Sequence, residues 1–132
     1  MTENEGSAAV EGYLAAIEGG SMEECDVLNP DIVLDATVPH WRFSVKGADA
    51  VRTELSRWYG QPGGFEELRR TPLPTGELVE FTLHWEEDGV PHAVHQAHIL
   101  EVTDGRIARD QVWCGGRWPA TLLAEMAEAA GD

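Results

Sequence analysis

The most constraining feature of this sequence is a change in the spacing of its apolar residues at the glycine-rich segment 60–64. Before this segment, apolar side chains recur at helical spacing, as Val10, Leu14 and Ile17 do. After it they alternate with polar side chains, as in residues 81–86. The pattern predicts an α+β fold in which N-terminal helices pack against a curved antiparallel or mixed sheet.

The same pattern places the individual elements. We expect three N-terminal helices over residues 8–18, 21–28 and 47–59, the second starting with a Ser21–Glu24 capping box, and a fourth, C-terminal helix after Pro119. Strands are predicted over 32–38, 65–71, 78–86 and 92–100, followed by a returning strand, with residues 39–46 as a loop. A length of 132 residues fits one domain spanning 1–132.

Charge and composition narrow the possible partners. The chain carries 24 acidic residues against nine Lys plus Arg, and the few bases are scattered, so nucleic acid and anionic membranes are unfavourable partners. No apolar run approaches the ~20 residues of a membrane span and no basic-apolar leader is visible, so we expect a cytoplasmic protein. Cys25 and Cys114 lack the spacing of a zinc site, and we expect reduced thiols and no metal or other cofactor.

A hairpin centred on Asp88-Gly89 defines the inward face of the sheet. This dipeptide favours a two-residue type I′ turn, which pairs Trp85 with His92 and Phe81 with Gln96. Strict alternation then predicts one face carrying Phe81, Leu83, Trp85, His92, Val94, Gln96 and His98, and an opposite face carrying His84 and His95.

The next turn, Asp104-Gly105, can be counted in two ways. A two-residue turn sets His98 opposite Gln111, whereas a type I turn with a glycine bulge sets His98 opposite Asp110. We prefer the second register because it leaves polar side chains outside; it places Arg109 and Gln111 outward and Ala108, Val112 and Cys114 inward. Opposed residues have Cβ atoms about 4.5–5.5 Å apart, so His98 and Asp110 could form an acid/base pair.

Four segments carry a resemblance to a known protein family: residues 10–20, Asn29-Pro30-Asp31 before the first strand, residues 47–51, and residues 104–107. In these segments and in its order of elements, the chain resembles the nuclear transport factor 2-like superfamily, in particular the SnoaL-like polyketide cyclases and ketosteroid isomerases. The resemblance covers residues 8–126. It implies a cone-shaped sheet wrapped around the helices and enclosing a pocket.

The resemblance also implies roles for particular residues. Tyr13 matches the ketosteroid isomerase tyrosine that donates to the developing oxyanion, and His98 falls where that enzyme has the aspartic acid sharing the oxyanion. The isomerase general base matches Ala36, and the terminal-strand acid of limonene epoxide hydrolases falls at Val112. This chain therefore lacks one catalytic residue of each mechanism. Scytalone dehydratases use a histidine-aspartate pair beside tyrosines; here Asp110 would supply the carboxylate to His98 from a different strand, so the match is one of chemistry and not of position.

Two functional hypotheses follow. The first is a cofactor-independent acid/base enzyme, of isomerase, cyclase, dehydratase or epoxide hydrolase type, acting on a small apolar neutral metabolite such as a polyketide or terpenoid. Tyr13 would polarise an oxygen, and His98, oriented by Asp110, would move a proton. The expected substrate contacts are Trp41, Trp58, Phe81, Leu83, Trp85, His92, Gln96 and Val112. Because we assign no Lys or Arg to the inward face, we expect anionic ligands to be excluded.

The second hypothesis is a non-catalytic, homodimeric small-molecule-binding module with the same fold. In it, His98 is a core histidine satisfied by Asp110 or the backbone, and Tyr13 is a packing residue. In either case outward Ile99 and Trp113 suggest a homodimer through the convex sheet face. An open pocket with His98 in contact with Asp110 favours the enzyme, and a pocket filled by Trp and Leu side chains favours the binding module.

Overall fold

A computed structural model describes residues 2–131. Its elements are α1 (Thr2–Gly19), a single 3₁₀ turn (Met22–Glu24), β1 (Leu28–Val38), β2 (Trp41–Lys46), α2 (Ala48–Trp58), β3 (Gly63–Leu73), β4 (Gly76–Glu87), β5 (Val90–Thr103), β6 (Arg106–Pro119) and α3 (Ala120–Gly131). The α+β class is therefore confirmed. None of the described helices is long and apolar enough to cross a membrane.

The strands form one mixed six-stranded sheet in the order β2-β1-β6-β5-β4-β3. Its neighbours pair antiparallel except for β1 and β6, which run parallel. The β4–β5 hairpin has the predicted register, since Trp85 pairs with His92 and Phe81 with Gln96. Asp88 and Gly89 have φ values of 51° and 77°, the left-handed pair that a type I′ turn needs.

The core lies between the sheet and the helices α1 and α2, both of which contact it. Val10 and Ile17 of α1, and Val51 and Leu55 of α2, are fully buried because their spacing places them on one helix face. Burying each such side chain stabilises the fold by about 1.5–3 kcal/mol before entropy is counted. This packing fixes α1 over the inward face of β4, β5 and β6.

Two local predictions near the N-terminus are wrong. The expected helix over 21–28 is only the 3₁₀ turn, and Ser21 makes no side-chain capping hydrogen bond. Residues 39–46, expected as a loop, contain strand β2, because His40 adopts φ 65° in a tight turn and Trp41 then pairs with Val38. β2 is an edge strand carrying Arg42 and Lys46, and charge is one way in which proteins protect such edges from aggregation.

The register between β5 and β6 matches neither predicted alternative. The turn has two residues, with Thr103 opposite Arg106, but Ala108 is then an extra residue on β6. This bulge sets Leu100 opposite Asp110 and His98 opposite Val112. The observed register differs from the preferred one by two residues. Because side chains alternate between the two faces of a sheet, a shift of two residues leaves each side chain on its predicted face, and Asp110 still points inward. Ile107, rather than the predicted Ala108, takes the buried position before it.

Candidate functional site

A chain of polar side chains crosses the buried core, with Asp110 at its centre. The Tyr13 hydroxyl donates a hydrogen bond to Asp110 Oδ2, and His98 Nδ1 lies 2.8 Å from Asp110 Oδ1. None of the three side chains is more than 1 % exposed. A carboxylate can only accept hydrogen bonds, so the ionised form of Asp110 pairs with the tautomer of His98 that carries a hydrogen on Nδ1. The predicted His98–Asp110 contact is thus confirmed, as a diagonal rather than a directly opposed pair.

Gln96 and Tyr59 continue this chain beyond the imidazole. His98 Nε2 lies 2.9 Å from Gln96 Oε1, and the Tyr59 hydroxyl donates to the same oxygen. The Tyr59 oxygen is also 3.4 Å from His98 Nε2. The sequence analysis missed Tyr59, although its position four residues after Leu55 continues the buried stripe of α2 one residue beyond the end of the helix. Five side chains therefore form one connected network.

The Gln96 amide can accommodate either protonation form of His98. Its oxygen faces Nε2 in the structure, an arrangement that suits a ring nitrogen bearing hydrogen. Rotation of the amide by half a turn would present its NH₂ group instead, which suits a nitrogen with a free lone pair. In the observed orientation that NH₂ group lies 3.4 Å from Cys114 Sγ. With the amide turned, the Tyr59 hydroxyl, which donates to the Gln96 oxygen in the structure, would need another acceptor.

The two tyrosines of the network remain hydrogen-bond donors. Burial raises the pKa of Tyr13 well above its ordinary value, and the neighbouring Asp110 charge raises it further. Burial likewise raises the pKa of Tyr59, with a second contribution from Asp110. Neither phenol can serve as a base near neutral pH.

Aromatic packing holds the imidazole of His98 in one orientation. Its ring stacks on Phe81 with a centroid separation of 5.4 Å and an interplanar angle of 22°. Tyr13 meets it edge-on, at 6.2 Å and 79°. Because Phe81 covers one face of the ring and both ring nitrogens have polar partners, the imidazole has a fixed position within the core.

A cavity of about 440 Å³ adjoins the network at Gln96. Its lining consists of Val38, Pro39, Arg57, Trp58, Trp85, Val94, Gln96, Cys114, Gly116 and Arg117. Three of the predicted substrate contacts, Trp58, Trp85 and Gln96, are among these residues. Gln96 is the only member of the described polar network that reaches the cavity, so Tyr13, His98 and Asp110 lie behind it.

The remaining predicted substrate contacts lie elsewhere. Phe81, Leu83 and Val112 are no more than 2 % exposed and belong to the closed core. His92 stacks on Trp85 at 5.7 Å, with its Nδ1 2.9 Å from the Val90 carbonyl oxygen. Trp41 is 69 % exposed, because it opens the edge strand β2.

The expectation that no Lys or Arg faces the pocket is wrong, because Arg57 and Arg117 both line the cavity. Arg117 reaches the inward face through a second bulge in β6. Gln96 pairs with Cys114, but Val94 pairs with Arg117, so β6 contains one extra residue at Gly115-Gly116. One extra residue moves every following side chain to the other face. Gly116 has φ 99°, a conformation that glycine adopts easily.

Comparison with solved structures identifies the fold. An NTF2-like protein from Anabaena variabilis superposes with a TM-score of 0.71 at 15% identity, covering 87% of this chain and 90% of that one. An LEH-like epoxide hydrolase of M. tuberculosis superposes with a TM-score of 0.64 at 24% identity, covering 84% of this chain and 83% of that one. A phenazine biosynthesis-related protein from Pseudomonas aeruginosa superposes with a TM-score of 0.61 at 16% identity, covering 85% of this chain and 82% of that one.

These similarities define the chain as a protein with the nuclear transport factor 2-like fold. The resemblance seen in the sequence is therefore confirmed at the level of the fold. No protein-family model matches the sequence, and no curated protein sequence matches it.

Proposed function

We propose that this chain is a single-domain, cytoplasmic, cofactor-independent acid/base enzyme of the SnoaL-like branch. Its substrate would be a small, largely apolar ring metabolite such as a polyketide or terpenoid. The reaction would be of isomerase, cyclase, dehydratase or epoxide hydrolase type. The observation that carries this proposal is the continuous network from Tyr13 through Asp110 and His98 to Gln96, which meets a cavity of about 440 Å³.

The cost of such a network supports a functional role. Polar groups taken into a protein interior lose hydration that their new partners only just replace. Here a carboxylate, an imidazole, an amide and two phenols are buried together, in a core that apolar side chains could have filled. Hydrogen-bonded titratable groups buried next to a cavity are candidates for acid/base chemistry.

In this mechanism His98 Nε2 exchanges the proton with the substrate. Asp110 fixes the tautomer of His98 and stabilises the imidazolium form, and Tyr13 in turn holds Asp110. The Tyr13 hydroxyl is committed to Asp110, so we assign polarisation of the substrate oxygen to Tyr59, whose hydroxyl lies 3.4 Å from Nε2. A substrate oxygen would reach this position by replacing the Gln96 side chain in its contacts.

The alternative is the non-catalytic binding module, forming a homodimer through the convex face of the sheet. Two observations favour it. His98 and Asp110 are 1 % and 0 % exposed and are satisfied by protein groups alone, as a purely structural pair would be. On the convex face, Trp113 is an exposed large apolar side chain.

Hydrogen exchange at an acidic carbon separates these candidates without knowledge of the natural substrate. The protein is incubated in D₂O with cyclic aryl ketones, and deuterium at the α-carbon is followed by mass spectrometry. A parallel set of ring epoxides is scored for diol formation. We expect wild-type protein to accelerate one of these reactions above buffer. Removing a general acid/base group typically costs 10²–10⁴-fold, so His98→Gln should lose at least about a hundredfold.

Matched variants make the outcome specific. Asp110→Asn nearly preserves shape but no longer favours the required tautomer, so it should also lose activity. His95→Gln is the control, because His95 is exposed on the opposite face. Ring compounds that bind without any acceleration would support the binding module. Equal rates for wild type and His98→Gln would refute the assigned acid/base residue.

A further inference from the structure

The charge of the cavity lining is unusual for this chain. Of the ten lining residues two are arginines and none is acidic, although the whole sequence has 24 acidic residues and only nine Lys plus Arg. A lining drawn at random from such a chain would be richer in carboxylates than in guanidinium groups. The lining itself therefore supplies only positive charge, and the carboxylates that pair with it, Glu54 and Glu87, lie outside the lining.

Both arginines keep donors free for a ligand. Arg117 lies over the Trp85 ring, with its guanidinium carbon 5.2 Å from the ring centroid, and donates to Glu87 through one terminal nitrogen. Arg57 approaches Glu54 with one terminal nitrogen at 3.5 Å. A guanidinium has five N–H donors in a planar fork, which fits a carboxylate better than a single acceptor. Both side chains are more than half exposed, so they mark the outer end of the cavity.

The ladder between β5 and β6 gives the length of the site. Gln96 lies at its inner end and is 3 % exposed. Val94, two residues along β5, pairs with Arg117, whose guanidinium extends over Trp85. Trp85 pairs with His92, four residues from Gln96, so at about 3.4 Å per residue this stretch spans about 14 Å. Trp58, Trp85 and Val94 supply apolar surface, so the lining is polar at its two ends.

We propose that the ligand of this cavity is a planar ring compound with an anionic group, held by Arg57 and Arg117, and a carbonyl or hydroxyl at its other end, next to Gln96. This inference rests on the proposed function, since it takes the cavity beside His98 as the ligand site. It replaces the neutral ligand expected from the sequence. Asp110, the acidic side chain of the network, is fully buried and paired, and it does not line the cavity.

Binding of naphthalene carboxylate, compared with its primary amide, tests this. The two probes share a ring and differ in charge. Affinity is measured by calorimetry and by protection of the Cys114 thiol, which lines the cavity, from dithionitrobenzoate. Cys25 is buried elsewhere in the core, and Cys114→Ser confirms which thiol reacts. We expect the carboxylate to bind at least about tenfold more tightly than the amide, a difference of about 1.4 kcal/mol.

The variant Arg57→Gln/Arg117→Gln should lose this preference while still binding the amide. Arg69→Gln is the matched control, because Arg69 is an exposed arginine on β3 that pairs with Glu80; it should keep the preference. Equal binding of acid and amide by wild type would overturn the inference and leave the proposed function standing. A preference that survives the double variant, or disappears in Arg69→Gln, would also overturn it. If neither probe binds or protects Cys114, both proposals fail.

Discussion

Tyr13 and Tyr59 offer a matched test of the charge at the centre of the network. Both phenols are no more than 2 % exposed, but Tyr13 donates to the Asp110 carboxylate and Tyr59 to the Gln96 amide. A hydrogen bond to a charged group contributes about 1.5–3 kcal/mol, and one between neutral groups about 0.5–1.5 kcal/mol. Replacement of either tyrosine by phenylalanine removes one oxygen and leaves a similar small void. We therefore expect Tyr13→Phe to lower the free energy of unfolding by about 2–3 kcal/mol and Tyr59→Phe by about 1 kcal/mol.

Equilibrium unfolding in urea, followed by tryptophan fluorescence, measures both values. The comparison is valid if both variants keep the wild-type m value, because the surface exposed on unfolding is then unchanged. If Tyr59→Phe costs as much as Tyr13→Phe, or more, Asp110 does not act as a charged acceptor. The assignment of the His98 tautomer, which depends on a charged Asp110, would then be refuted as well.

Two further predictions concern stability. Arg42 holds the pKa of Asp35 below its ordinary 3.8, a shift that stabilises the fold above that pH and is lost as the pH falls through the lower, folded-state pKa. Asp35→Asn should thus be less stable than wild type at pH 7, and the two urea midpoints should converge in strong acid. A Cβ at Gly76 would lie 1.8 Å from the Leu100 carbonyl oxygen, whereas one at Gly64 meets no atom within 4 Å. Gly76→Ala should destabilise by more than about 3 kcal/mol and Gly64→Ala by less than about 0.5 kcal/mol, as thermal unfolding would show.

The sequence predicted those parts of the fold that local chemistry determines. Asp88-Gly89 specifies both the turn type and the pairing of β4 with β5, so the inward face of β5 followed from counting. β2 was missed because a short edge strand needs few apolar residues and carries charge, which makes it resemble a loop in sequence. The contact between His98 and Asp110 was found through the correct facing, despite a wrong register.

The cavity could not be predicted because its residues come from distant parts of the chain. Val38 ends β1 and Pro39 follows it, Arg57 and Trp58 end α2, and the remaining residues belong to β4, β5 and β6. No spacing rule connects these segments, since their proximity depends on how α2 packs across the sheet. The buried polar network was more accessible, because most of its members lie on adjacent strands with a regular alternation.

The two bulges of β6 determine which side chains face the network and the cavity. With a two-residue turn and no bulge at Ala108, Asp110 would oppose Ile99 and point away from His98. The extra residue at Ala108 turns Asp110 inward. Without the second extra residue, at Gly115-Gly116, Arg117 would likewise point outward. Bulges are a recurrent means of re-aiming side chains next to functional sites. One strand with two insertions therefore contributes both the carboxylate that orients His98 and the guanidinium at the outer end of the cavity.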